Sequence, residues 1–386
     1  MKDIPYARQD ISQADIDAVV RVLGSDWLTQ GPVIEQFEEA VATYCGTRYA
    51  SAVCNATAAL HLACRALDLG PGDWLWTSPN TFVASANCAL YCGASVDFVD
   101  IDPRTYNMSV DQLEAKLVLA EATGRLPKIV VPVHFGGQPC DMAAIGALAR
   151  RYGFSVIEDA SHAIGASDGV ARVGSCIHSD ITVFSFHPVK IMTTGEGGML
   201  LTNRTEIDAR LKLLRSHGIT RDPSLMDQAS HGPWYYQQTE LGYNYRMTDI
   251  QAALGLSQLD RLNEFIERRH SLASNYELLL AELPLVRPYQ RSNTRSAWHL
   301  YVVRVPGDAR KARGEAFAKL RENGILVNVH YIPVHIQPYY RKLGFRAGDF
   351  PEAERYYAEA ISLPMFFGLG EPDQERVAQQ LRSILA

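Results

Sequence analysis

The chain predicts an α/β fold: a large domain on a mainly parallel central sheet, then a smaller C-terminal α+β domain. Three observations carry this. From Tyr49 to Glu158 short apolar strands alternate with amphipathic helices, and strands buried on both faces and spaced by helices form parallel sheets. A periodic stretch from about 248 to 283 is longer than an ordinary globular helix and reads as a bridge between domains. Past Pro284 strands and helices follow in a less regular order. The expected boundaries are 1–258, including an N-terminal segment, and 259–386.

Taken in order, Ser12 with Asp15 three residues on opens a helix that stops at Gly24. A polar break, SDWLTQG, leads to Pro32 and a second helix ending at Cys45-Gly46. Strand Tyr49–Val53 and a helix from Thr57 follow, then strand Trp74–Thr77 and a helix from Phe82, strand Ser95–Val99 and a helix from Val110. Strand Lys128–Val133, a helix from Met142 and strand Phe154–Glu158 complete the alternation. Strand Ile181–Phe186, the turn Gly195-Glu196-Gly197-Gly198 and strand Met199–Thr202 come next. Thr248 and Gln251 form a capping box at the head of the bridging helix, which Pro284 ends. The small domain is expected to hold strand Ala297–Val305, helix Ala309–Glu322, strand Ile325–His330 and two further helices.

Length and composition fit an enzyme of about two domains: 386 residues, 47% apolar, 21% charged. A net charge of −6 gives no surface for nucleic acid or anionic membranes. Seven cysteines, an odd number without a C-x-x-C pair, argue against a disulfide frame and a structural metal site, and for a reducing compartment. The N-terminus lacks an apolar signal region and no apolar run approaches 18 residues, so the expected location is the cytoplasm.

The chemistry centres on 156–201. Asp159 closes an apolar strand, where ligands of open α/β sheets bind; a helix cap or a structural ion pair is the plainer alternative. Lys190 follows a second strand and Pro188, and precedes a Gly-rich turn that leaves room against the backbone. In a dry pocket its amine can lose a proton and attack a carbonyl. A carboxylate opposite it can keep a pyridine nitrogen protonated, which makes pyridoxal phosphate an electron sink. Asn55-Ala56-Thr57 joins a strand to a helix and forms an anion site of a common kind. Ser185 offers a further phosphate contact, Phe82 a ring to stack on a flat cofactor or simply to pack, and His162 a hydrogen bond to a ring substituent or a structural one. The P-loop, nucleophile-elbow, zincin and dinucleotide signatures are absent.

These residues together resemble the sugar aminotransferase family of fold-type I pyridoxal-phosphate enzymes, the DegT/DnrJ/EryC1/StrS type. The resemblance spans nearly the whole chain, through N-x-T-A-A-L-H-L-A at 55–63, EDASHA at 158–163, SFHPVK and GEGG within 185–198, GYNYRMTD at 242–249 and NVHYIPVH at 328–335. It implies that Lys190 carries the cofactor as a Schiff base, Asp159 pairs with the pyridine nitrogen, His162 contacts the ring hydroxyl and Phe82 stacks on the ring. It also implies that Ala56, Thr57, Ser185 and an Asn244 from the neighbouring subunit hold the phosphate, in a homodimer with shared sites. Ala56 stands where the family often has glycine, and a backbone donor survives that change. L-glutamate is the implied donor and leaves as 2-oxoglutarate, with Lys190 shuttling protons in both half-reactions.

Among the family's branches, the segments IPYARQ, WLTQGP and WYYQQTELGYNYRMTD look most like the one acting at C4 of UDP-linked 4-keto-6-deoxy-N-acetylhexosamines in pseudaminic acid biosynthesis. Branches making 4-amino-4-deoxy-L-arabinose or the bacillosamine precursor are the alternatives. Tyr6, Trp27, Gln30, His187, His330, Tyr331 and His335 are candidates for the sugar-nucleotide pocket, each with packing or surface placement as its alternative. The family's dehydratases are implied to carry histidine in place of the lysine, so Lys190 speaks against that chemistry, and a non-catalytic regulator would be expected to lack Lys190 or Asp159.

Overall fold

Seven of the expected strands share one sheet. In the computed structural model, which describes residues 3–307 and 309–385, they are β1 (Tyr49–Val53), β2 (Trp74–Thr77), β3 (Ser95–Phe98), β4 (Ile129–Val131), β5 (Ser155–Asp159), β6 (Ile181–Ser185) and β7 (Gly198–Thr202). Their order is β3-β2-β4-β5-β6-β7-β1. Only β7 runs antiparallel to its neighbours, pairing Gly198 with Val53 on one side and with Ser185 on the other. The six co-directional strands therefore end along one edge, and it is there that Asp159 and Ser185 emerge. The strands read as continuous apolar runs because both faces are covered: Leu60, Leu75, Ile157 and Val183 pack in one cluster, Phe37, Ala52, Phe184 and Met199 in another.

Local signals set most helix starts. Ser12 and Asp15 form the expected capping box on helix Gln13–Leu23, and Thr248 and Gln251 form the one on Asp249–Asp260. Helix Pro32–Cys45 has no side-chain cap of its own and ends in a left-handed Gly46. Its free N–H groups go instead to Asp249, whose buried carboxylate accepts from Gly31 N–H at 2.8 Å and Val33 N–H at 3.1 Å. That contact ties the WLTQGP segment to the head of a helix more than 200 residues away.

The expected single helix over 248–283 is corrected to two, Asp249–Asp260 and Leu262–Leu279. Arg261 breaks the run at φ −98°, ψ 0°, held by Asp10 Oδ1 at 2.8 Å and Glu264 Oε2 at 3.2 Å. The second helix changes cores along its length. Leu262, Phe265 and Ile266 pack on the large domain, whereas Leu272, Tyr276 and Leu280 pack with Tyr301, Ile325 and Leu381 of the small one. The bridge is thus Leu262–Leu279.

Three shorter elements also differ. The helix expected from Phe82 begins at Ala84, leaving Phe82 on the loop after β2. The small-domain strands contract to Tyr301–Arg304, paired with Ala360–Leu363, and to Ile325–Leu326, paired in parallel with Ile4–Pro5. Ile4 lies in the small domain's apolar cluster, so the N-terminal strand belongs there and not with 1–258. Helices Pro338–Arg341, Pro351–Glu359 and Glu371–Leu385 follow, one more than expected. All seven thiols are free, and no described helix is long and apolar enough to cross a membrane.

Candidate active site

At the carboxyl edge of the parallel strands a cavity of about 550 Å³ opens between the sheet and the small domain. Asp159, Ser185, Lys190, His162, Ala56, Thr57 and Phe82 all line it, together with Tyr6, His187, His330 and Tyr331. Residues spread over more than 320 positions meet here because β1, β2, β5 and β6 all end at this edge, while Tyr6 and Asn328–Tyr331 reach it from the small domain.

Lys190 is the chemically decisive group. A turn that bonds its N–H to the His187 carbonyl at 2.9 Å places it after β6. Burial pulls its amine down to about 8, against the opposing attraction of the Asp159 carboxylate. Asp159 ends β5, which pairs directly with β6, and is 5% exposed. Its Oδ1 accepts the Ser161 N–H at 3.1 Å and its Oδ2 the Ser85 hydroxyl at 2.6 Å.

His162, His299 and His330 are held neutral. His162 accepts the Gly136 N–H on Nδ1 at 3.3 Å, which leaves Nε2 to donate to the Tyr331 hydroxyl at 3.1 Å. Burial, then the charges of Lys190 and His330, push its protonation well below the usual range. His330 is brought down to about 3 by burial and by Lys190; its Nδ1 meets Ser362 Oγ at 2.8 Å. His299, buried with its ring centroid 4.4 Å from that of His162, is depressed mainly by burial and leaves Nδ1 without a hydrogen-bond partner. Tyr331 is shifted the opposite way, its phenol raised by burial and by Asp159.

These residues suit pyridoxal phosphate. The Asn55 side chain caps helix Ala56–Ala66 at the Ala58 N–H, and the helix leaves the Ala56 and Thr57 N–H groups free at its positive end, beside Ser185. Gly198 permits that arrangement: a Cβ there would lie 2.7 Å from the Asn55 carbonyl carbon and 2.8 Å from the Ala56 nitrogen. The buried carboxylate of Asp159 lines the same cavity, as does Phe82, whose ring is 6.2 Å from that of Tyr331 and 58% exposed.

Four expected residues lie elsewhere. His335 is a core residue, not a pocket one: its fully buried ring stands 4.8 Å from Phe350, with Nε2 3.0 Å from Glu354 Oε1. Trp27 lies over a separate groove with Arg21, Pro32 and Leu256. Gln30 is exposed beside Thr29, which bridges to Thr248, and Asn244 is exposed and bridges to Ser216, so neither reaches the cavity of its own chain. Thr81, Ser85, His299, Asn328 and Glu196 were missed by sequence reasoning. Of these, Glu196 had a signal, its place in GEGG. Ser85 has no local mark, since its partner lies 74 residues ahead.

The chain is similar to proteins of one known family over nearly its whole length. The model of the DegT/DnrJ/EryC1/StrS aminotransferase family matches residues 9–382. The chain is 41% identical to the spore coat polysaccharide biosynthesis protein SpsC of Bacillus subtilis, over 99% of this chain and 97% of that one. It is 38% identical to the GDP-perosamine synthase of Caulobacter vibrioides over the full length of both. Among solved structures, Helicobacter pylori PseC, an aminotransferase involved in the biosynthesis of pseudoaminic acid, superposes with a TM-score of 0.91 at 29% identity, covering 100% of this chain and 99% of that one. Streptococcus pneumoniae Spr1654, solved in a PLP form, gives 0.89 at 29% identity, over 99% of this chain and 98% of that one. The chain belongs to the DegT/DnrJ/EryC1/StrS aminotransferase family and is a pyridoxal phosphate-dependent sugar aminotransferase.

Proposed function

We propose that the chain moves the amino group of L-glutamate to C4 of a nucleotide-linked 4-keto-6-deoxy sugar and releases 2-oxoglutarate. The acceptor is UDP-2-acetamido-2,6-dideoxy-β-L-arabino-hex-4-ulose, which becomes UDP-4-amino-4,6-dideoxy-N-acetyl-β-L-altrosamine in pseudaminic acid biosynthesis. The observation that carries the amino-transfer roles is the placement of Lys190 and Asp159 after adjacent parallel strands, in one cavity, with the lysine amine near 8.

When bound, pyridoxal phosphate supplies a ring that takes up the electron pair freed at the reacting carbon. Ala56, Thr57 and Ser185 would hold its phosphate at the helix terminus, Asp159 would pair with the ring nitrogen, His162 with the ring hydroxyl, and Phe82 would stack on the ring. Lys190, whose neutral amine is the form that reacts with an aldehyde, would be the point of attachment. As a free base the Lys190 amine would take the proton from the amino-acid Cα, and in its protonated form it would return one at C4 of the sugar. An amine near 8 exchanges protons in either direction around neutral pH, so one base serves both half-reactions. Tyr6, His187, His330 and Tyr331 line the same cavity and are the proposed contacts for the sugar nucleotide. Lys190 is the sole lysine or arginine among the described residues lining the cavity, which favours an Asn244 donated by a second protomer to help hold the phosphate. A nucleotide-sugar acceptor and seven free thiols suit the cytoplasm, and the proposed Asn244 contact requires a homodimer.

The substrate reading is supported by the likeness to PseC across both chains and by the N-terminal and 234–249 segments. The 38% identity to a GDP-perosamine synthase favours a second reading, a GDP-linked 4-keto-6-deoxyhexose. Incubating the enzyme and L-glutamate with each ketosugar in turn, and identifying products by mass spectrometry and NMR, separates the two. Amination of the UDP-linked N-acetyl sugar at C4 is expected; turnover of the GDP-linked sugar alone would overturn the assignment.

A further inference from the structure

The acid that the proposed function sets against the cofactor's ring nitrogen does not stand free. Asp159 Oδ2 accepts a 2.6 Å hydrogen bond from Ser85, and Ser85 Oγ lies 2.7 Å from Thr81 Oγ1. All three are buried, at 5%, 0% and 2% exposure. A serine hydroxyl has one hydrogen, and a carboxylate at 2.6 Å is the strongest acceptor within reach, so Ser85 donates to Asp159 and Thr81 donates to Ser85. The other carboxylate oxygen takes the backbone N–H of Ser161 at 3.1 Å. Each oxygen of Asp159 is thus engaged by the protein before any ligand arrives.

The chain of hydroxyls is itself anchored. Ser85 lies in the first turn of helix Ala84–Tyr91, and the Cys88 thiol donates to its carbonyl at 3.2 Å from one turn on. Thr81 lines the cavity on the loop that also presents Phe82. The segment that offers the stacking ring therefore also sets the angle of the carboxylate, and a displacement of one is felt by the other.

We propose that Thr81 and Ser85 form a positioning relay that fixes the carboxylate of Asp159 in the orientation needed to hold a protonated ring nitrogen. Neither hydroxyl touches the reacting atoms; both act through Asp159. This inference rests on the reading of Asp159 as the ring nitrogen's partner. Without Ser85 the carboxylate keeps the Ser161 N–H alone and can turn within its site, which weakens the pair it makes with the ring.

The test uses Ser85→Ala and Thr81→Val in the full-length protein, with Asp159→Asn as the control. The readouts are the pH midpoint of the bound cofactor's visible absorbance, the Kd for pyridoxal phosphate added to cofactor-free protein, and kcat and KM for L-glutamate. Ser85→Ala is expected to move the absorbance midpoint, weaken cofactor binding by about tenfold or more and lower kcat by a similar factor with KM little changed, as the loss of one charge-assisted hydrogen bond implies. Thr81→Val keeps the side-chain outline and leaves the Ser85–Asp159 bond in place, which makes it the second variant should Ser85→Ala fail to fold, and it is expected to shift the same readouts in the same direction by less. Wild-type absorbance and kcat in Thr81→Val and in any folded Ser85→Ala, beside a crippled Asp159→Asn, would overturn the relay alone. A wild-type Asp159→Asn would overturn the role of Asp159 and the relay with it.

Discussion

Lys190 shows how far the surroundings of one residue set its chemistry. An ordinary lysine is about 0.4% neutral at pH 8, whereas burial brings this amine to its midpoint there. The sign follows from the reactive form. Only the neutral amine attacks an aldehyde, so capture of pyridoxal phosphate by cofactor-free protein is expected to quicken as pH rises to about 8 and to level off above it. Stopped-flow absorbance between pH 6 and 10 measures this. A rate still climbing tenfold per pH unit beyond 9 would mean that the amine is not desolvated in solution. His162, His299 and His330 do not blur the profile, because burial keeps them neutral across that range.

At the scale of elements, the Gly-rich turn after Lys190 does more than leave space for a ligand. Gly198 starts β7, and its missing side chain lets the Asn55–Ala56 backbone lie against the strand. Backbone on both sides cannot yield as a flexible side chain can. Gly198→Ala is therefore expected to shift the helix terminus that offers Ala56 and Thr57, costing about 1–3 kcal/mol of stability and weakening cofactor binding. Thermal unfolding of the cofactor-free protein and titration with pyridoxal phosphate check the two effects separately. Unchanged values in both would show that the terminus does not depend on this approach. Gly195 is the contrast: nothing lies within 4 Å of its Cβ position, and it is needed only for its φ of +81°.

For the whole molecule, the proposed homodimer would have each chain hold most of one site and present part of another. Asn244, Trp27 and Gln30 lie outside the cavity of their own chain, on exposed segments joined through the Thr29–Thr248 bridge. If a partner's Asn244 completes each site, two inactive variants can rescue one another. Lys190→Ala and Asn244→Ala homodimers are expected to be impaired. Mixed dimers would pair one doubly damaged site with one intact site and recover activity toward half that of wild type. Co-expression with two affinity tags, followed by an assay of the heterodimer, measures this. No recovery in a verified heterodimer would place Asn244 outside the neighbour's site.

The sequence by itself determined what depends on short stretches of chain. The alternation of apolar strands and helices, the caps at Ser12 and Thr248, and the strand ends that deliver Asp159 and Lys190 are all local patterns, and all recur in the structure. Tertiary structure alone decided the rest. Arg261 divides a helix whose periodicity runs on, held by Asp10 of the N-terminal segment and by Glu264, and the change of core comes later, between Ile266 and Leu272. Ile4–Pro5 joins a strand some 320 residues later, Asp249 caps a helix it does not belong to, and His335 turns toward Glu354 instead of the pocket. Ser85 meets Asp159 only because β2 and β5 end at the same edge of the sheet. Such pairings join groups whose separation along the chain is arbitrary, so no spacing or composition announces them; they exist only once the sheet order brings the strand ends together.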